Sequence, residues 1–130
     1  MTTDLWMLVS TAFLGLFMPF IYGTGRSLQP GGFKWSAGNR DADLVVPGWT
    51  RRAVQAHSNL IESLPAFAIL VIVAHISGKA NEVTALGATI FFWGRVAHII
   101  VYTAGIIYLR TLVWFASWVG GIMILIQLFK

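Results

Sequence analysis

Four apolar blocks, each near the length of about 20 residues that crosses a hydrocarbon core of roughly 30 Å, account for most of this 130-residue chain. They run over residues 5–23, 51–78, 83–108 and 111–129, and little is left from which to build a water-soluble core. Charged residues make up 11% of the chain and apolar residues 57%, whereas soluble domains carry roughly a quarter charged. Lipid is therefore the solvent this composition suits. Each span must then satisfy its own backbone hydrogen bonds, so the expected fold is all-α, an integral membrane four-helix bundle forming one domain over residues 1–130. Binding sites are confined to gaps between helices or to the membrane surface. The segment Met1-Thr-Thr-Asp-Leu-Trp6 lacks the positive region of a signal peptide, so the first block is expected to be retained as a helix.

The connections fix an expected orientation. Residues 24–50 form one long loop in which Gly25, Pro30, Gly31, Gly32, Gly38, Asn39 and Gly48 supply turn chemistry. Lys79 to Glu82 is a short link, and Tyr108-Leu109-Arg110 reads as a tight turn. Arg26, Lys34, Arg40, Arg51, Arg52 and Arg110 fall on one side, Lys79 and Lys130 on the other. The positive-inside bias makes the long loop cytoplasmic and puts both termini on the non-cytoplasmic side. Topology also accounts for the net charge of +4 without a nucleic-acid partner, because the basic residues scatter to the ends of the apolar blocks. The absence of cysteine excludes a disulfide framework, a thiolate metal site and a nucleophilic cysteine belonging to the protein.

Against this apolar background the polar residues inside the spans carry the information. Arg52, Gln55, Asn59 and Glu62 follow the spacing of one helix face, and Arg95, His98 and Tyr102 share a face of the next span. Both stripes must face something other than lipid. Glu62 and Arg95 lie at nearly the same depth, roughly 16 and 20 Å from the cytoplasmic end at 1.5 Å per residue. A Glu62–Arg95 ion pair between antiparallel helices is therefore expected, either as the floor of a site or as a device that fixes helix register. Asn59, His98 and Tyr102 extend from it toward the arginine-rich side, making a polar cleft that suits an anion. Arg110 admits a plainer role, as a topological anchor near the C-terminal dipole of the third span. His57 and His75 read as packed or interfacial, and Trp6, Trp49, Trp114 and Trp118 as interface anchors.

Two segments make the pattern specific. Arg52-Ala-Val-Gln-Ala-His-Ser-Asn-Leu-Ile-Glu62-Ser-Leu-Pro65, followed by Gly94-Arg95-Val-Ala-His98-Ile-Ile-Val-Tyr102 and then Arg110-Thr111, resembles the MAPEG family, membrane-associated proteins in eicosanoid and glutathione metabolism. The likeness spans all four blocks, and Gly38-Asn-Arg-Asp41 resembles the bacterial branch. The resemblance implies a homotrimer that holds glutathione between subunits at the cytoplasmic side, without metal, and takes a lipophilic small-molecule substrate from the surrounding membrane lipids. It implies glutathione contacts from Arg52, Asn59, Glu62, His98 and Tyr102, with Arg26 reaching across the interface. It also implies thiolate stabilisation by Arg110, with Thr111 beside it. A glutathione-dependent transferase or peroxidase acting on apolar electrophiles or lipid hydroperoxides is the expected function, in a bacterial inner membrane.

Three positions depart from that pattern. Gln55 and Ser58 stand where members of the family carry arginines that contact glutathione, and Trp114 stands where some catalysts carry tyrosine. Fewer cations weaken recognition of the tripeptide's carboxylates. The alternative is a non-catalytic membrane lipid-binding or scaffold protein of the same family. A proton or ion pathway through Glu62, Arg95 and His98 fits poorly, because one cluster gives no continuous relay across a bilayer.

Overall fold

The computed structural model describes all residues, Met1–Lys130, as five helices: α1 (Thr3–Ser27), α2 (Gly32–Ala37), α3 (Gly48–Ile76), α4 (Glu82–Ala104) and α5 (Ile107–Leu128). Helices α1, α3, α4 and α5 are each long and apolar enough to cross a membrane. Pro19 and Pro65 lie inside α1 and α3 without ending either helix, as membrane helices tolerate when neighbours serve the freed carbonyls. The short α2 interrupts what the sequence suggested was a continuous loop. It begins after Gly31 in the left-handed region (φ 71°), and Gly32 packs so closely on the Arg26 carbonyl that no side chain would fit.

The turn between the last two spans lies earlier than expected. Gly105 ends α4 in the left-handed region (φ 84°), its N–H bonding to the Tyr102 carbonyl at 3.0 Å, while the Ile106 N–H reaches the Val101 carbonyl at 3.1 Å. This is a Schellman closure. Tyr108, Leu109 and Arg110 consequently sit in the first turns of α5. Hydropathy runs unbroken across Ile106 and Ile107, so only the glycine marks the true joint.

Helices α4 and α5 form the most extensive packing in the bundle, and small residues permit it. A Cβ on Gly87 would lie 2.6 Å from the Gly120 carbonyl oxygen, and one on Gly94 would lie 2.9 Å from Ser117 Cβ. Close backbone approach through such residues supplies the van der Waals contact on which helix association in lipid depends. Two buried clusters fill the interior. One gathers Met18, Ala53, Ala56, Leu60 and Ile99; the other gathers Phe67, Val71, Ala74, Ala88, Phe91 and Ile124, with Phe67 and Phe91 stacked at 3.9 Å between centroids. Apolar side chains such as Phe13, Leu16, Phe20, Ile69, Leu112 and Phe115 remain exposed on the outside, where lipid is their natural neighbour.

At the end of the bundle that holds both termini, polar side chains tie the four spans together. Asp4 is buried (2% exposed). Its carboxylate pairs with His75 Nε2 at 3.0 Å and accepts from the Thr84 hydroxyl at 3.3 Å, with Thr2 also bonded to it. Asn81 caps α4 by accepting from the N–H groups of Val83 (2.8 Å) and Thr84 (3.1 Å), and its amide donates to Gln127 Oε1 at 3.2 Å. Lys79 Nζ donates to the Leu128 carbonyl at 2.9 Å. The sequence reading passed over Asp4, although an acid at the head of α1 and a histidine at the tail of antiparallel α3 fall at the same level.

Candidate functional site

Toward the opposite end lies a second group of polar side chains. Asn59 of α3, His98 and Tyr102 of α4, and Arg110, Thr111 and Trp114 of α5 line one open cleft of about 350 Å³. Helical spacing explains the first half of this set. His98 and Tyr102 are one turn apart with their rings edge to face at 5.5 Å, and Arg95 lies almost a turn further in on the same helix. The early turn at Gly105 explains the second half, because it swings the start of α5 back over Tyr102. The Arg110 guanidinium carbon then lies 4.5 Å from the Tyr102 ring centroid. The Tyr102 hydroxyl donates to Gln55 Oε1 at 2.8 Å.

Several groups in and beside the cleft keep unused bonding capacity. His98 is 2% exposed and its Nδ1 has no partner; Arg95 is 1% exposed and its Nε has none. Buried polar atoms in folded proteins are nearly always paired, so both carry a desolvation cost that nothing within the subunit offsets. Arg110 contacts Tyr102 through the ring face and makes no ion pair within the subunit.

The position of Arg110 also bears on the anchor interpretation. It lies four residues beyond Ile106, the N-cap of α5, which offers no capping side chain. A cation there faces the positive end of its own helix dipole, an unfavourable placement unless an anion is shared. The C-terminal carbonyls of α4 already have a cation, since Arg52 Nε donates to the Thr103 carbonyl at 3.0 Å and the same guanidinium packs against Gly105. The dipole-anchoring role expected of Arg110 thus belongs to Arg52.

The remaining expected residues lie elsewhere. Arg95 NH1 donates to Asn59 Oδ1 at 2.6 Å, and no Glu62–Arg95 ion pair forms within the subunit, where the one pair is His75 with Asp4. Asn59 and Glu62 share a face of α3, and the shorter amide takes the guanidinium. Glu62 is exposed and accepts from the Ser58 hydroxyl at 3.4 Å. It borders, with Arg95, a second cavity on the far side of the Arg95–Asn59 bond. Arg26 lines a third cavity with Arg40, between α1 and α2, with its guanidinium over the rings of Tyr22 and Trp35. Within one subunit, therefore, Arg26, Arg52 and Glu62 stand apart from the cleft. Nowhere do three or more His, Asp or Glu side chains gather as a metal site would require. Trp114, read from the sequence both as an interface anchor and as standing where some catalysts carry tyrosine, lines the cleft.

A cationic, partly unpaired cleft at one end of a four-span apolar bundle defines an integral membrane protein built around a polar site. The chain belongs to the MAPEG family, whose sequence profile matches residues 5–130, and so to the membrane proteins of glutathione and eicosanoid metabolism. Neither the curated proteins nor the solved structures gave a match to the chain.

Proposed function

We propose that this protein is a glutathione-dependent membrane transferase or peroxidase acting on apolar electrophiles or lipid hydroperoxides. The observation that carries the reading is Arg110, held over Tyr102 at the uncapped start of α5 without an anionic partner. The protein has no cysteine, so a thiol nucleophile would come with a second molecule, the role glutathione fills in this reading. A guanidinium beside a thiol favours the thiolate and raises its fraction at neutral pH. Arginine suits the task because it stays charged when partly desolvated.

In transfer, the thiolate sulfur forms a bond to an electrophilic carbon while that carbon releases its leaving group, or its epoxide oxygen, which then takes a proton. Thr111 sits beside Arg110 to steady the sulfur by hydrogen bonding. Asn59 and His98 offer the tripeptide polar contacts along the cleft wall, and Tyr102 an aromatic face. Glu62 and Arg52 stand apart from the cleft within one subunit, and would meet glutathione's ammonium and carboxylates only where a neighbouring subunit completes the site. Arg26 would reach the cleft from a neighbouring subunit of a homotrimer. The mouth would face the cytoplasm of a bacterium, with the apolar substrate arriving through the inner membrane.

The test is conjugation of glutathione to a small aromatic electrophile by the purified protein. Wild type should turn over, and Arg110→Ala should lose most of the rate; equal rates would remove Arg110 from the chemistry. One observation favours a second reading, a non-catalytic lipid-binding protein: the Tyr102 hydroxyl is occupied by Gln55. Titration calorimetry separates the two. Saturable glutathione binding that weakens in Asn59→Ala and Glu62→Gln supports the enzyme, and its absence supports the lipid-binding protein.

A further inference from the structure

Three rings line the cleft that holds Arg110, those of His98, Tyr102 and Trp114, and two of them are already engaged. His98 is buried. The Tyr102 face carries the Arg110 guanidinium, and its hydroxyl is spent on Gln55. The other lining groups, Asn59, Arg110 and Thr111, are polar, so the half-buried Trp114 is the one large apolar surface left for a ligand. Its indole is held from behind, edge to face with Phe115 at 5.0 Å and tilted against Trp118 at 5.4 Å. Trp118 is itself 50% exposed on the outer face. Arg110, Trp114 and Trp118 follow one another at intervals of four residues, about 6 Å apart along the axis of α5 at 1.5 Å per residue. A path from the bilayer to the guanidinium therefore runs over two indoles.

We infer that Trp114 sets the specificity for the second substrate, favouring planar, electron-poor aromatic electrophiles over straight-chain ones; this rests on the glutathione reading above. The negative face of an indole attracts an electron-deficient ring in an offset stack. A rigid ring also has no internal rotors to freeze, whereas an alkyl chain must be ordered bond by bond. Stacked on Trp114, such a ring lies one helical turn from Arg110, within reach of a thiolate held there. The sulfur forms a bond to the ring carbon that carries a halogen, and electron-withdrawing substituents hold the added pair. The halide then leaves with the electrons of the carbon–halogen bond, and the ring regains its aromaticity. An indole N–H donates a hydrogen bond but gives up no proton near neutral pH, unlike the phenol of a tyrosine. The position therefore suits leaving groups that depart as stable anions.

The experiment pairs two electrophiles that differ in shape, chlorodinitrobenzene and hexyl iodide, and reads kcat/KM for glutathione conjugation of each by the purified full-length protein. Rates are taken per folded molecule. Trp114→Leu should lower the arene-to-alkyl ratio of kcat/KM about threefold to tenfold, the scale of one aromatic stack, chiefly through a higher KM for the arene. Trp114→Phe, which keeps a ring, should retain most of the ratio. Trp114→Met keeps apolar bulk without a ring and gives the same reading should the leucine variant fail to fold. An equal fall for both electrophiles would overturn the inference and make Trp114 a packing residue, and unchanged rates for both would overturn it as well. Should wild type conjugate neither electrophile, the glutathione reading itself has failed and the inference falls with it.

Discussion

The two ends of the bundle use similar residue types to opposite effect. At the end with the termini, Asp4, His75, Asn81, Thr84 and Gln127 draw on all four spans and bond to one another. At the loop end, Asn59, Arg95, His98, Tyr102 and Arg110 lie equally close together. Yet every buried side-chain polar atom without a partner, in Ser36, Thr50, His57, Arg95, His98 and Thr103, falls in that half of the molecule. A satisfied network stabilises and specifies packing, whereas an unsatisfied one costs free energy until something binds. The first end closes the bundle and the second leaves it receptive.

Substitutions can break this contrast. Arg110→Ala should have the largest effect, lowering the conjugation rate about 100- to 1,000-fold as expected for loss of a charge-stabilising donor. Resistance to unfolding by dodecyl sulfate should stay within about 0.5 kcal/mol of wild type, as for a substitution outside the packed core. Loss of both rate and stability would erase the distinction between the ends. Asp4→Ala should behave in the converse way. It removes the carboxylate that His75 and Thr84 share, while Thr84 keeps Asn81 and His75 keeps Thr2, and should cost about 1–2 kcal/mol in the same unfolding assay, with the rate per folded molecule unchanged.

Smaller changes sharpen the comparison. Tyr102→Phe keeps the ring beneath Arg110 and removes the bond to Gln55, so glutathione affinity should move by no more than about 1 kcal/mol, roughly fivefold. A much larger loss would show that the hydroxyl itself meets the ligand. Arg52→Ala should cost about 0.5–1 kcal/mol of stability, the scale of a cation at a helix C-terminus, read as a lower dodecyl sulfate midpoint. If glutathione affinity falls as well, the free end of that guanidinium reaches the ligand.

The sequence revealed these two ends unequally. Hydropathy located the spans because lipid imposes length and apolarity on any helix that crosses it. It also placed Asn59, His98 and Tyr102 on common faces, since helical spacing is regular. Side-chain lean is not written in spacing: Asn59 and Glu62 are three residues apart on one face, and only packing decides that the amide takes Arg95. The α4–α5 joint was misplaced because Arg110 looked like a turn residue, while the conformation that ends α4 belongs to Gly105. Helix α2 is a single short element between glycines, below the length at which periodicity is readable. The Asp4–His75 pair escaped notice because polar residues are expected at span ends and attract no question there.

The abrupt joint at Gly105 also bears on how this protein enters the membrane. With two residues between them, Gly105 and Ile106, and glycine-mediated contact along their length, α4 and α5 have little scope to partition separately. An arginine at a helix centre opposes insertion by about 2.5–3.5 kcal/mol, and Arg95 burdens α4 in this way. The almost uncharged α5 follows at once, so the two helices would enter as a hairpin, the second carrying the guanidinium of the first into the bilayer.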